Sequence, residues 1–151
     1  MDLESSAFFH NQNIPPRYTC DGSNINPPLT VLEPAPGSES LVLIMEDPDI
    51  PGGGDPWVHW IAWDIDPLVA EIQEDSTPEG STEGVTSFET TGYSGPCPPS
   101  GTHRYVFKLY ALDTLLGLAS DSAKDEVLSA MDGHVLDEAE PFIGLYSRDN
   151  K

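Results

Sequence analysis

The hydrophobic pattern along the chain predicts short strands separated by turns. Leu41–Met45 is an uninterrupted apolar run, which predicts a strand buried on both faces. Residues 57–65 are rich in aromatic and β-branched side chains and predict a second strand. Strict alternation would place these side chains of that strand on one face: Trp57, His59, Ile61, Trp63 and Ile65. Apolar and polar residues alternate through His103–Leu112, which is the clearest strand signal in the chain.

Signals for helices are sparse. Ser122 and Asp125 have the spacing of a capping box, and Gly133 lies where a helix through Met131 would end. A further helical turn is predicted at 137–140. Residues 87–91 predict a short strand, whereas the Gly/Pro-rich segment 92–101 excludes regular structure. We therefore expect a mainly β protein, one domain over residues 1–151, with one or two short peripheral helices.

The charge narrows the choice of partners. The chain has 26 acidic and 6 basic residues, for a formal net charge of −20. Such a field repels nucleic acids and anionic membrane surfaces. No apolar run approaches the roughly 20 residues that span a bilayer, and the first residues lack the pattern of a signal peptide. We expect a cytoplasmic protein with no nucleic-acid partner and no membrane insertion. Because salt screens self-repulsion, we also expect adaptation to high salt.

Three segments place polar side chains in unusual settings. Asp47 follows the predicted buried strand, His59 lies between large apolar residues, and a rigid loop that includes Gly95–Pro96 precedes His103 and Tyr105 on one face of a strand. Taken singly, the Asp47 segment fits a proline-stiffened turn and His59 fits a core histidine. Together, two imidazoles, a phenol and loop amides would bind an anion such as phosphate. Asp47 would then orient a histidine and raise its pKa.

Two other chemistries compete with anion binding. Asp47, His59 and His103, with Cys97, could form a metal site, but they lie in separate segments without metal-ligand spacing. Residues 92–96 approach the nucleophile elbow of hydrolases, yet Pro96 replaces its last glycine and no helical pattern follows. We therefore expect no metal, no cofactor and no catalytic nucleophile.

Taken together, these segments resemble the phosphatidylethanolamine-binding protein family, in particular its prokaryotic branch of Raf kinase inhibitor-like proteins. The matching segments span nearly the whole chain, and their order and number carry the resemblance. They are Ile14–Pro15, Tyr18–Gly22, Asn24, Asn26–Leu29, Asp47–Pro51, Trp57–Trp60, Gly95–Pro99, Gly101–Tyr105, Gly133–Leu136 and Gly144–Tyr146.

The resemblance implies a large central antiparallel sheet packed against a smaller sheet. It implies a pocket for phosphate or phosphoryl head groups, formed by Asp47, His59, His103 and Tyr105, with the Gly95–Pro96 peptide on its rim. The function implied is a regulatory, non-enzymatic anion-binding module. The alternative is an inhibitor or regulator of a protein partner such as a kinase or protease. A homodimer is also implied by similarity to the short prokaryotic members.

The two cysteines, Cys20 and Cys97, form no CxxC pair. Reduced thiols are the ordinary state of such residues in a cytosolic protein. The resemblance places both near the implied pocket. We therefore predict that they can form a disulfide under oxidising conditions, and that folding does not depend on it because the core is large.

Overall fold

The computed structural model describes residues 1–148, which form two β-sheets and one α-helix. The elements are β1 (Asp2–Glu4), β2 (Gln12–Asn13), a 3-10 turn (Pro16–Tyr18), β3 (Leu29–Leu32), β4 (Ser40–Asp47), β5 (Trp57–Ile65), β6 (Glu71–Ile72), β7 (Thr82–Glu83), β8 (Thr102–Leu112), α1 (Lys124–Met131), β9 (Val135–Glu138) and β10 (Phe142–Ser147). Within this part of the chain, no helix has both the length and the apolar character needed to cross a membrane.

The larger sheet has seven strands and the smaller has three. The strand order of the larger sheet is β2-β10-β8-β4-β5-β7, with β9 also paired to β8. The smaller sheet has the order β1-β3-β6. All pairings are antiparallel except that of β2 with β10. The predicted architecture, a large and mostly antiparallel sheet against a smaller one with few helices, is confirmed.

Both faces of β4 are buried, as its uninterrupted apolar run predicts. Leu41, Leu43 and Met45 pack between the two sheets, together with apolar residues of β1, β3 and β8. Val42 and Ile44 point to the opposite face, which α1 covers. Burying a side chain of this size contributes roughly 1.5–3 kcal/mol, so this central strand anchors both apolar clusters.

An extra residue in β5 breaks the alternation of that strand. Met45 of β4 lies opposite Trp60, whereas the next residue, Glu46, lies opposite Val58. His59 is therefore left over as a bulge between two paired positions. A bulge redirects the side chains that follow it, and such bulges are frequent beside functional sites.

The face predicted for residues 57–65 is therefore wrong beyond His59. Ile61 and Trp63 pack beneath α1, but Ile65 returns to the cluster between the sheets. The second change of side follows Asp64, which has a positive φ of 58°. Strict alternation cannot represent a strand with two irregularities.

The helix begins one residue later than the capping pattern predicts. Ala123 is the N-cap residue, and its N–H donates to the Glu126 carboxylate at 3.3 Å. The Ser122 carbonyl accepts the N–H of Val85, which holds Ser122 outside the helix. The predicted end is confirmed, because the helix stops at Met131 and Gly133 follows with a φ of 81°.

Two short predictions are wrong. Residues 87–91 form a turn rather than a strand, because Thr86 binds the Thr90 carbonyl through both its N–H and its hydroxyl. The predicted helical turn at 137–140 overlaps β9, which pairs with the end of β8. In the first segment a local turn replaces the predicted strand, and in the second segment pairing with a distant strand overrides the local preference.

We expect this fold to unfold more easily as salt is removed. Of the acidic residues among 1–148, Glu46 and Asp47 alone are buried, so the negative charge lies on the surface. The Debye length grows from about 3 Å at 1 M salt to about 10 Å at 0.1 M, so repulsion between surface carboxylates returns as salt falls. Thermal unfolding in a KCl series measures the effect. A midpoint that stays level or rises from molar to millimolar KCl would contradict adaptation to salt.

Candidate functional site

The predicted pocket residues meet at one edge of the larger sheet. Because β4 runs antiparallel to both β5 and β8, the end of β4 lies beside the beginnings of the other two strands. A pocket of about 300 Å³ opens there. Asp47, His59, His103 and Tyr105 all line it, although they come from three separate segments.

Asp47 and His103 form a buried pair in this pocket. The Nδ1 atom of His103 lies 2.6 Å from Oδ2 of Asp47, and the two side chains are only 7% and 6% exposed. The other oxygen of Asp47 accepts the N–H of Asp49 at 2.7 Å. With Nδ1–H donating to the carboxylate, the orientation of the imidazole is fixed and Nε2 is the nitrogen that remains for other contacts.

The turn after Asp47 is clamped to the start of β8. Asp49 accepts two hydrogen bonds from the Arg104 guanidinium, at 2.9 and 2.8 Å, and a third from the Arg104 backbone N–H at 2.8 Å. The hydrogen bond from the guanidinium holds the pKa of the Asp49 carboxyl below its usual range. This clamp keeps Asp47 and His103 in register.

His59 is held by the loop that precedes β8. Its Nδ1 lies 2.7 Å from the Ser94 carbonyl, and the Ser94 N–H donates to the His59 carbonyl at 3.0 Å. Burial lowers the pKa of His59, outweighing the Ser94 carbonyl and the charge of Asp47, which act in the opposite direction. The prediction that Asp47 raises a histidine pKa therefore does not hold at His59, where desolvation is the larger effect. The free protein presents a neutral imidazole at this position near pH 7.

Tyr105 lies between the two histidines. Its ring is perpendicular to that of His59 at 5.3 Å and nearly parallel to that of His103 at 6.4 Å, measured between centroids. Its hydroxyl is buried and has no hydrogen-bond partner among residues 1–148. Burial raises the pKa of Tyr105 above its ordinary value, with a further contribution from Asp47. The Cys97 backbone approaches the hydroxyl and acts the other way, without the geometry of a hydrogen bond. The phenol therefore stays protonated and can donate.

The mouth of the pocket is apolar and includes Phe88, which the sequence patterns do not single out. Phe88 packs edge-on against His59 at 5.1 Å and against Trp57 at 5.7 Å. Trp57 and Phe88 remain 39% and 42% exposed, which is unusual for such large apolar side chains. Ile50, Pro51, Pro98 and Pro99 complete the walls. The strand predicted at 87–91 gives no reason to place Phe88 at the mouth of the pocket, because the position of Phe88 depends on the turn found there.

Gly95 and Pro96 are buried behind the wall of the pocket instead of lining it. The Gly95 N–H donates to Oδ1 of Asn24 at 2.8 Å, and the Pro96 carbonyl accepts the N–H of Cys20 at 3.1 Å. A Cβ at Gly95 would collide with the Tyr18 carbonyl, so this close approach requires glycine. The rim predicted at Gly95–Pro96 is supplied by the next residues, 97–99.

The structure joins Cys20 and Cys97 in a disulfide, with their Cα atoms 5.5 Å apart. The two residues are 77 positions apart in the sequence. Both are exposed, and Cys97 belongs to the pocket wall. The bond thus connects the wall to the segment that follows the 3-10 turn.

The donors needed by the competing chemistries are used in other ways. Within residues 1–148, no group of three or more His, Cys, Asp or Glu side chains is arranged to hold a metal ion. The sulfur of Cys97 is bonded to Cys20, and the two oxygens of Asp47 are engaged by the His103 ring and the Asp49 N–H. Ser94 contacts His59 through its carbonyl, not its hydroxyl, so this contact does not activate a nucleophile.

Comparisons with known proteins agree with this geometry. The model of the phosphatidylethanolamine-binding protein family matches residues 4–147. A protein of Methanothermobacter thermautotrophicus named UPF0098 protein is 49% identical over 154 residues, covering 98% of this chain and 99% of that protein.

Two crystal structures are similar over nearly their whole length. A putative phosphatidylethanolamine-binding protein homologue from Chlamydia trachomatis has a TM-score of 0.93 at 38% identity, with 98% of this chain and 97% of that chain covered. YbcL of Escherichia coli, described as a member of the mammalian family, has a TM-score of 0.88 at 26% identity, with 97% of each chain covered. The chain therefore belongs to the phosphatidylethanolamine-binding protein family.

Proposed function

We propose that this protein is a non-enzymatic, regulatory binding module whose pocket takes a phosphate or phosphoryl head group. The observation that carries the proposal is the Tyr105 hydroxyl, which is buried without a partner among the described residues and belongs to a side chain that lines the pocket. A buried polar group without a hydrogen bond costs about 1–3 kcal/mol. A ligand oxygen that accepts from this hydroxyl would recover that cost.

The two histidines supply the other polar contacts of the proposed site. Ser94 and Asp47 occupy their Nδ1 atoms, so their Nε2 atoms meet the ligand. A hydrogen bond to an ionised group is about twice as strong as a neutral one, so a few short contacts to the phosphoryl oxygens suffice to hold the ligand.

The apolar mouth favours an organic phosphate over the free ion. Trp57, Phe88 and the proline walls surround the opening and offer no charge. The substituent of a phosphate ester would lie against these surfaces while its phosphoryl group reaches Tyr105. The surrounding charge of −20 opposes any anion at long range, so short-range contacts set the affinity. The cytoplasmic location and the homodimer stay predictions.

Replacing Tyr105 with phenylalanine tests the proposal in two measurements: the affinity for the ligand should fall, while the stability of the free protein should not. We expect the parent to bind phosphoethanolamine in a calorimetric titration and Tyr105→Phe to bind it about tenfold more weakly, a loss of about 1.4 kcal/mol. The free variant should be as stable as the parent or more stable by about 1 kcal/mol, because an unsatisfied buried hydroxyl has been removed.

Tyr18→Phe is the matched control. The Tyr18 hydroxyl donates to Glu74 at 2.9 Å and does not line the pocket, so this variant should lose stability and keep its affinity. Phosphate and sulfate are titrated beside phosphoethanolamine to define the anion that is recognised. If the parent binds none of the three, the proposal is overturned, and inhibition of a protein partner becomes the leading alternative.

A further inference from the structure

The Cys20–Cys97 disulfide is the covalent link between the pocket wall and the rest of the fold. Before Cys97, hydrogen bonds hold the loop to neighbouring segments: the Ser94 and Gly95 N–H groups donate, and the Pro96 carbonyl accepts. After Cys97 the situation changes. Residues 97–100 make no well-formed hydrogen bond to the described part of the chain, and two of the four are prolines, which have no N–H to donate.

This weakly held segment is also the one that shapes the pocket. Cys97, Pro98 and Pro99 line the pocket, and the Cys97 backbone lies next to the Tyr105 hydroxyl. Cys20 does not line the pocket. The disulfide therefore acts on the site from outside, by limiting the positions that the wall can adopt.

Both cysteine residues lie at the surface, where a disulfide is more open to thiolates from solution than it would be in the core. A disulfide inside the core would be shielded from exchange, whereas accessible ones are the reducible class. We propose that Cys20 and Cys97 form a thiol-exchange site that controls the anion pocket, an inference that rests on the proposed function. The disulfide form binds the anion tightly and the dithiol form binds it weakly.

The exchange follows ordinary thiol–disulfide chemistry with a cellular dithiol as reductant. One thiolate of the dithiol attacks a sulfur of the pair, the Cys20–Cys97 bond breaks, and a mixed disulfide forms while the other cysteine leaves as a thiolate. The second thiolate of the reductant then attacks the mixed disulfide. The products are the cyclic disulfide of the reductant and two protein thiols, so two electrons and two protons have passed to the protein.

Opening the bond weakens binding because the wall gains freedom. In the dithiol form, residues 97–100 sample additional conformations, and a bound ligand must restrict them again. We expect about a tenfold loss of affinity, which corresponds to about 1.4 kcal/mol. Residues 97–100 belong to neither sheet, so we expect the fold to survive reduction.

The experiment titrates phosphoethanolamine into the protein in both redox states. One sample is reduced with dithiothreitol, a neutral dithiol, and the other contains the same concentration of its cyclic oxidised form. Counting free thiols under native conditions should give none before reduction and two after it. Cys20→Ser is the decisive variant, because it removes the disulfide without changing a side chain that lines the pocket. It should bind with the affinity of the reduced parent and ignore dithiothreitol.

The outcomes separate this inference from the proposed function. Equal affinity of the oxidised and reduced parent would overturn the control of the pocket and leave the anion site intact. Failure of the oxidised parent to bind would overturn the proposed function itself. A bond that resists native reduction, or a reduced protein that loses its circular dichroism signal, would also overturn the inference. In the last case the disulfide would support the fold rather than the pocket.

Discussion

Replacing Glu46 with alanine is expected to lower the free energy of unfolding by about 2–3 kcal/mol, because it removes a buried carboxylate that binds two partly exposed lysines. Glu46 is 2% exposed and lies on the face of β4 that α1 covers. Its carboxylate binds Nζ of Lys108 at 2.6 Å and Nζ of Lys124 at 2.5 Å. Lys108 belongs to β8 and Lys124 to α1, so one carboxylate joins two strands and the helix.

The pH dependence of stability provides a second test of this ion triad. Burial by itself raises the pKa of Glu46, but the two ammonium groups outweigh it and the pKa is lowered. A carboxyl whose pKa is lower in the folded state stabilises the fold above its unfolded pKa. This stabilisation disappears as the pH falls through the folded value. The parent should therefore lose stability more steeply in acid than Glu46→Ala does.

Two controls identify the cause of the loss. Glu74→Ala removes a carboxylate that pairs with the exposed Arg17 and accepts from the Tyr18 hydroxyl, so it should lose only about 1 kcal/mol. The triple variant Glu46→Leu, Lys108→Met, Lys124→Met should recover most of the stability, since apolar replacements of a buried ion group are often neutral or stabilising. Denaturant unfolding measures all four proteins. A Glu46→Ala protein as stable as Glu74→Ala would contradict the role assigned to the triad.

The second large effect concerns ligand affinity. His59→Ala and His103→Ala should each weaken the binding of phosphate esters about ten- to a hundredfold, since a hydrogen bond to a charged group contributes roughly 1.5–3 kcal/mol. Both imidazoles line the pocket, and each is held in place through Nδ1. Calorimetric titration with phosphoethanolamine measures the two losses. His134→Ala is the matched control, because His134 is an exposed histidine paired with Asp113 outside the pocket.

The affinity of the pocket for anions should depend on pH through His59. Burial lowers the pKa of His59, so its imidazole is neutral in the free protein. Because Nδ1 donates to the Ser94 carbonyl, Nε2 carries a proton only in the cationic ring, and donating from Nε2 to an anion requires that the imidazole gain a proton. Affinity should therefore increase as the pH falls and weaken as it rises, and His59→Ala should flatten this dependence. The charged and titratable groups near His59 are Asp47, His103 and Tyr105. Sulfate is the suitable probe, because its own charge is constant between about pH 5 and 8, where histidines titrate. Parent-like binding by both alanine variants would show that the pocket is assigned wrongly.

Local sequence patterns predict the strands that build the site. The apolar run of β4 is uninterrupted because both faces of that strand are buried, and β8 alternates because one of its faces is more buried than the other. Both strands appear within a few residues of the predicted bounds. Asp47, His59, His103 and Tyr105 attract notice because they are polar residues at strand ends or among apolar neighbours. Their convergence needs one further fact, the order of β5, β4 and β8 in the sheet. The family resemblance implies an antiparallel sheet, and the structure shows the order of its strands.

The sequence alone thus determines which residues can form strands, which polar groups stand apart, and how strongly the surface repels anions. Tertiary structure decides three other matters: the bulge at His59, the choice of Cys97–Pro99 over Gly95–Pro96 as the pocket wall, and the attachment of Glu46 to both lysines. Each of these depends on register or contact between segments far apart in the chain. A shift of one residue in a strand reverses the side on which every later side chain lies, and local preferences do not encode where that shift occurs.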